Sequence, residues 1–96
     1  MAGYRPDLPP HVAETIRHLP PDVKRGIKAA LRALSDGSAV GEPLQRDLEG
    51  FLKYRVKRFR IVYAFDRPRK IIRILAVGHR RAVYEELANI VRRADR

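Results

Sequence analysis

The chain has no cysteine, which removes disulfides, thiolate zinc sites and thiol nucleophiles together and is compatible with a reducing compartment. Its amino terminus, MAGYRPDLPP, lacks the apolar core of a secretory leader, and its longest apolar stretch, IIRILAV, is far short of a membrane span. Metal-ligand spacings such as H-x-x-x-H, phosphate-cradling Gly-rich loops, internal repeats and low-complexity segments are also missing. Acidic residues are scarce in one half only: residues 49–96 hold 14 Lys/Arg against 5 Asp/Glu, whereas residues 1–48 hold 7 against 6. The expectation is a soluble, cytoplasmic protein with no membrane association, no metal and no cofactor, which offers Arg, Lys and Tyr for any chemistry.

What is present is ordinary globular composition: 96 residues, 45% hydrophobic and 33% charged, enough for one core and one domain spanning residues 1–96. The net charge of +10 sits almost wholly on the second half. A one-sided excess of this kind points to a polyanionic partner, nucleic acid first. The plainer alternative is charge kept for solubility.

Along the chain, YRPDL at residues 4–8 is readable as a short strand, but Pro6 has no donor and confines it to an edge. Val12, Ile16 and Leu19 fall at helical spacing between His11 and Leu19, and the prolines at 20 and 21 close that helix and open the next. Val23, Ile27, Ala30, Leu31 and Leu34 form one apolar stripe, with Asp22 as a cap or first-turn acid and Gly37 as the stop. The connector AVGEPLQRDLEG is punctuated by Gly41, Pro43 and Gly50.

Three strands are predicted next, over Leu52–Lys57, Phe59–Phe65 and Ile71–Val77, with DRPR at 66–69 as a turn. YEELANIVRR then reads as a short C-terminal helix carrying Leu87, Ile90 and Val91 on its apolar side. Five of the eight residues from Lys53 to Arg60 are cations. Alternation places Lys53, Arg55 and Arg60 on the sheet face that the helices leave open. The predicted fold class is α+β: a small antiparallel sheet of three to four strands, an N-terminal helical hairpin on one face, and a short C-terminal helix.

From Leu48 to Tyr84 the sequence LEGFLKYRVKRFRIVYAFDRPRKIIRILAVGHRRAVY resembles the RelE/ParE toxin superfamily, on its RelE side. The resemblance is carried by Leu48 and Gly50, by YRV in the first hairpin strand, by FRIVYAFD in the second, and by ILAVGHRRAVY. The helical hairpin with LPPDVKRGIKAAL fits the same family, while YRPDLPPH departs from the apolar first strand usual there.

The resemblance implies a toxin of a type II toxin–antitoxin system, a RelE-type endoribonuclease that cuts mRNA in the ribosomal A site. It implies two partners, the ribosome and a cognate acidic antitoxin, with the toxin monomeric alone and hetero-oligomeric in the complex. Matching positions give Lys53, Arg55, Arg60, Arg80 and Tyr84 as the catalytic set, with Arg81 able to exchange roles with Arg80. Lys57, Arg58, His79 and Arg81 are expected to bind RNA.

Metal-free cleavage requires activation of a ribose 2′-OH, stabilisation of a phosphorane and protonation of the leaving 5′-oxygen. In the implied roles, Tyr84 either deprotonates the 2′-OH or stacks on the splayed base, and Arg60 and Arg80 grip the phosphate. Lys53 and Arg55 neutralise developing charge, and Lys53, Arg80 or His79 supplies the proton. Each has a plainer reading: Tyr84 as a packing aromatic, His79 as a surface or hydrogen-bonding residue, the remaining cations as a solvated face. Arg92, Arg93 and Arg96 complement a helix C-terminus whatever the function.

Three other functions compete. One is ParE-like inhibition of DNA gyrase. Another is non-catalytic RNA or DNA binding, which usually places aromatic platforms beside the cations, whereas Tyr54, Phe59 and Phe65 are expected to face away. The third is a toxin that binds its antitoxin but no longer cuts.

Overall fold

The computed structural model describes residues 3–44, 50–79, 82–85 and 89. The element order is β1 (Arg5–Asp7), α1 (Pro10–Arg17), α2 (Pro21–Asp36), β2 (Glu42–Pro43), β3 (Leu52–Val56), β4 (Phe59–Asp66) and β5 (Ile71–His79). Residues 82–85 are helical, and the remainder of the predicted C-terminal helix, with Leu87, Ile90, Val91, Arg92, Arg93 and Arg96, lies outside the described residues.

Both helices begin on a proline, where the missing N–H is no loss because first-turn donors have no helical partner. α1 buries Val12 and Ile16, one turn apart, and α2 buries Ile27, Ala30, Leu31 and Leu34. Asp22 lies in the first turn of α2 and Pro20 takes the N-cap position. At the other end Gly37 adopts φ 85, the left-handed conformation that terminates helices cheaply when no Cβ is present. Among the described residues no helix is long and apolar enough to cross a membrane.

The sheet runs β1-β5-β4-β3-β2. The β3–β4 and β4–β5 pairs are antiparallel, β2 joins β3 antiparallel at one edge, and β1 joins β5 in parallel at the other. Five strands therefore replace the expected three or four. The addition is β2, whose two residues carry no alternation that a sequence pattern could register.

Between β4 and β5 the register slips: Val62 faces Ala76 and Tyr63 faces Ile74, leaving Leu75 as an extra residue. The slip keeps both Ile74 and Val77 in the helix-side core together with Ile61, Tyr63 and Ile72. His11 on α1 donates from Nε2 to the Leu75 carbonyl at 3.0 Å, so the irregular carbonyl is partnered. The opposite face holds a second, smaller core of Val62, Ala76 and Val83, against which Leu44, Phe51, Leu75 and Tyr84 pack.

Candidate functional site: a cationic pocket on the open sheet face

The β3–β4 hairpin sets the register Lys53 opposite Val62, Arg55 opposite Arg60 and Val56 opposite Phe59, leaving Lys57 and Arg58 as a two-residue turn. Lys57 holds φ 54, a left-handed conformation that a side chain makes unfavourable. Its Nζ lies 3.5 Å from Asp22 Oδ2, joining the turn to the start of α2. That contact helps hold the Asp22 carboxyl below its ordinary value, behind the hydrogen bond from the residue's own backbone.

Lys53, Arg55 and Arg60 line a pocket of about 150 Å³ on the open face, with Glu42 as its fourth wall. Glu42 is there because β2 sets it directly opposite Lys53. Arg55 facing Arg60 is a like-charge cross-strand pair, which costs about 0.2–1 kcal/mol relative to neutral neighbours. None of the three cations has an ion-pair partner among the described residues. The Arg60 guanidinium donates through Nη1 to the Phe59 carbonyl at 3.1 Å, which fixes its stem and leaves the rest of the fork for a ligand.

Besides the pairing of β2 with β3, a buried phenol holds the connector to the sheet. Tyr63 is fully buried, and its hydroxyl accepts from the Gly41 backbone N–H at 2.7 Å. Burial pushes the Tyr63 hydroxyl above its ordinary value. A Cβ at position 41 would press into the Lys53 carbonyl and sit 2.7 Å from the same hydroxyl, so only glycine allows the connector this approach. Gly41 and Tyr63 thereby position Glu42 in the pocket.

Tyr84 follows the fully buried Val83 in the helical stretch and is itself half-buried against the second core. Val62 of that core is the cross-strand partner of Lys53, so Tyr84 belongs to the same sheet face as the pocket. His79 behaves differently. It is exposed, pairs with Phe59 across the strands and meets that ring edge-on at 5.7 Å. Because Phe59 packs on the helix-side core, His79 sits on that side and away from the pocket. Lys57 and Arg58 lie at the tip of the hairpin, while Arg80 and Arg81 fall outside the described residues.

Tyr54, Phe59 and Phe65 pack against the helix-side core, as alternation predicts. Two residues of the open face escape the sequence reading: Glu42, hidden in a connector read only for its glycines and proline, and Phe51, which packs beside Tyr84's cluster. The signal for Glu42 exists only in the pairing of β2 with β3.

Comparison with known proteins bears on this arrangement. The toxin of the RelBE2 toxin–antitoxin complex from Mycobacterium tuberculosis is similar at 28% identity and TM-score 0.72, covering 81% of this chain and 99% of that one. The E. coli toxin RelE, solved as a mutant in the free state, shares the fold at TM-score 0.75 and 22% identity over 93% of this chain and 97% of that one. RelE of the archaeal RelE–RelB complex from Pyrococcus horikoshii does so at 0.66 and 20%, over 82% and 97%. No curated protein matches the chain by sequence. The family model for the ParE toxin of type II toxin–antitoxin systems matches residues 11–84, from the start of α1 through Tyr84, and so takes in the pocket. The chain belongs to that toxin family, within the RelE/ParE superfamily.

Proposed function

We propose that this toxin is a ribosome-dependent endoribonuclease that cleaves mRNA in the A site and so inhibits translation. The observation that carries the reading is the pocket: three cations and one carboxylate, Glu42, converge on a rigid sheet with no ion pair to any of the three cations among the described residues, and two of the cations are directly opposed at a cost in stability. An arrangement that costs the apo protein and is relieved by an anion is what a phosphoryl-transfer site requires. A gyrase-directed inhibitor has no need of it.

In the proposed mechanism a base removes the 2′-hydroxyl proton, the 2′-oxygen attacks phosphorus, and the P–O5′ bond breaks as the departing oxygen takes a proton. The products are a 2′,3′-cyclic phosphate and a 5′-hydroxyl. Arg55 and Arg60 offer guanidinium forks to the nonbridging oxygens, and Lys53 adds a point charge beside them. Arg80, by its place in the family pattern, joins Arg60 at the phosphate. Glu42 is the base-competent group of the pocket, and Tyr84 either serves as base or stacks on the splayed nucleobase. Lys53 or Arg80 is the proton donor, since His79 stands on the other side of the sheet. Lys57, Arg58 and Arg81 track the RNA backbone.

The relatives named for complexes, RelBE2 and RelE–RelB, support a cognate antitoxin as partner. For a chain of net charge +10 that antitoxin is acidic, and association is salt-sensitive. The parDE description of the matching family favours a second reading, inhibition of DNA gyrase without catalysis. One experiment separates the two: wild-type toxin is incubated with mRNA-programmed ribosomes, with free mRNA and with gyrase plus relaxed plasmid. A discrete A-site cut, little cleavage of free RNA and undisturbed supercoiling support the nuclease. Uncut ribosomes with blocked supercoiling support the inhibitor.

A further inference from the structure

A second cationic hollow lies at the far edge of the sheet. Arg5, Asp7, Arg69 and Arg73 line it together with Pro6 and Ile71, and at about 440 Å³ it is larger than the pocket of about 150 Å³ around Lys53. It opens on the same sheet face: Arg73 pairs with Ala64, two residues beyond Val62, and Leu75, two residues beyond Arg73, belongs to the open-face core. The two cationic sites thus flank one apolar patch diagonally. Arg60 and Ala64, the cross-strand partner of Arg73, lie four residues apart on β4, about 13 Å along the sheet at the usual strand rise.

The guanidinium groups there are only partly satisfied. Arg73 Nη2 and Arg69 Nε share one carboxylate oxygen, Asp66 Oδ2, at 3.3 and 3.9 Å, while Arg5 has no ion-pair partner among the described residues. Three forks therefore meet an incomplete acceptor set, and phosphate oxygens match their geometry.

A peptide strand is a poor occupant. The Arg5 N–H points inward to the Lys70 carbonyl at 2.9 Å, so the next residue turns its backbone outward; that residue is Pro6, which has no N–H to offer. The edge is blunted against strand addition, and the hollow recognises its ligand through side chains. We infer that Arg5, Arg69 and Arg73 form a second anion site that takes the phosphodiester backbone of RNA, extending the footprint of the cationic pocket across the sheet. This rests on the nuclease reading for its biological RNA, not for its chemistry.

The test titrates full-length toxin, over a salt series, into programmed ribosomes and into a labelled single-stranded oligouridine. Arg5→Gln/Arg73→Gln is expected to make the slope of log K against log salt shallower by about 1.5 on either RNA. Arg5→Gln alone, which breaks no ion pair, gives about half that shift and guards against a folding defect in the double variant. Arg25→Gln/Arg32→Gln removes the same charge from exposed positions on α2 and is expected to leave the slope near wild type. A slope unchanged in both hollow variants, or lowered equally by the α2 variant, overturns the site. Weakened binding to polyglutamate with unchanged RNA slopes also overturns it and assigns the hollow to an acidic protein. If wild type leaves ribosomes uncut while the hollow variants still lower the oligouridine slope, the nuclease reading falls and the second anion site stands.

Discussion

On the helix side of the sheet Ile61, Tyr63, Ile72, Ile74 and Val77 disappear beneath α1 and α2 into a core that counts eleven buried residues among those described. On the other side, among the described residues, the buried core is Val62, Ala76 and Val83, and Lys53, Arg55 and Arg60 stand around it with no ion pair to a described carboxylate. The same strands build both faces, so alternation alone divides them. The helix side supplies the stability on which the open side draws: a like-charge pair such as Arg55–Arg60 is tolerable because its cost is small beside the burial behind it.

Substitutions on the two faces should therefore separate stability from activity. The largest loss is expected from Ile74→Ala, where deleting a fully buried side chain costs about 2–5 kcal/mol, measured by urea unfolding. Gly41→Ala comes next, at about 1–3 kcal/mol, because the new methyl group collides with the Lys53 carbonyl and the Tyr63 hydroxyl. It breaks the comparison in an informative way: a fault at the connector moves Glu42, so cleavage should fall along with stability.

Tyr63→Phe orphans the Gly41 N–H and should cost about 1 kcal/mol at neutral pH. The same residue sets an alkaline dependence. Burial lifts the Tyr63 hydroxyl above its usual 10.0, so the folded state holds this proton more tightly than the unfolded chain. The resulting stability is complete below about pH 10 and is lost as pH rises through the folded value, and Tyr63→Phe should show a shallower alkaline decline in thermal melts. The smallest effect has the opposite sign. Arg55→Gln should raise stability by about 0.2–1 kcal/mol by removing the charge facing Arg60, and slow cleavage at the same time.

The helical hairpin, the three long strands and the division of cations from aromatics were legible because each is a periodic pattern of 3.6 or 2 residues extending over several turns or pairs. Glu42 was not. Its place beside Lys53 comes from a two-residue strand, from glycine at 41 and from a phenol 22 positions later, none of which leaves a local trace. The β5 irregularity at Leu75 was equally silent, since an inserted residue in an all-apolar strand changes no pattern of hydrophobicity. His79 shows the converse. As the histidine of the VGH segment, next to Arg80, it stood among the RNA-binding candidates, and strand alternation places its ring against Phe59, on the side away from the pocket.

Single-turnover cleavage of A-site mRNA by Arg60→Gln, with the urea midpoint of the same preparation, tests the separation of the faces most directly. The expected result is a rate lowered by about a hundredfold or more, as for loss of a charge-stabilising donor, at a midpoint equal to wild type or slightly above it because the charge facing Arg55 is gone. A variant that cuts at the wild-type rate would contradict the assignment of the open face to phosphoryl transfer.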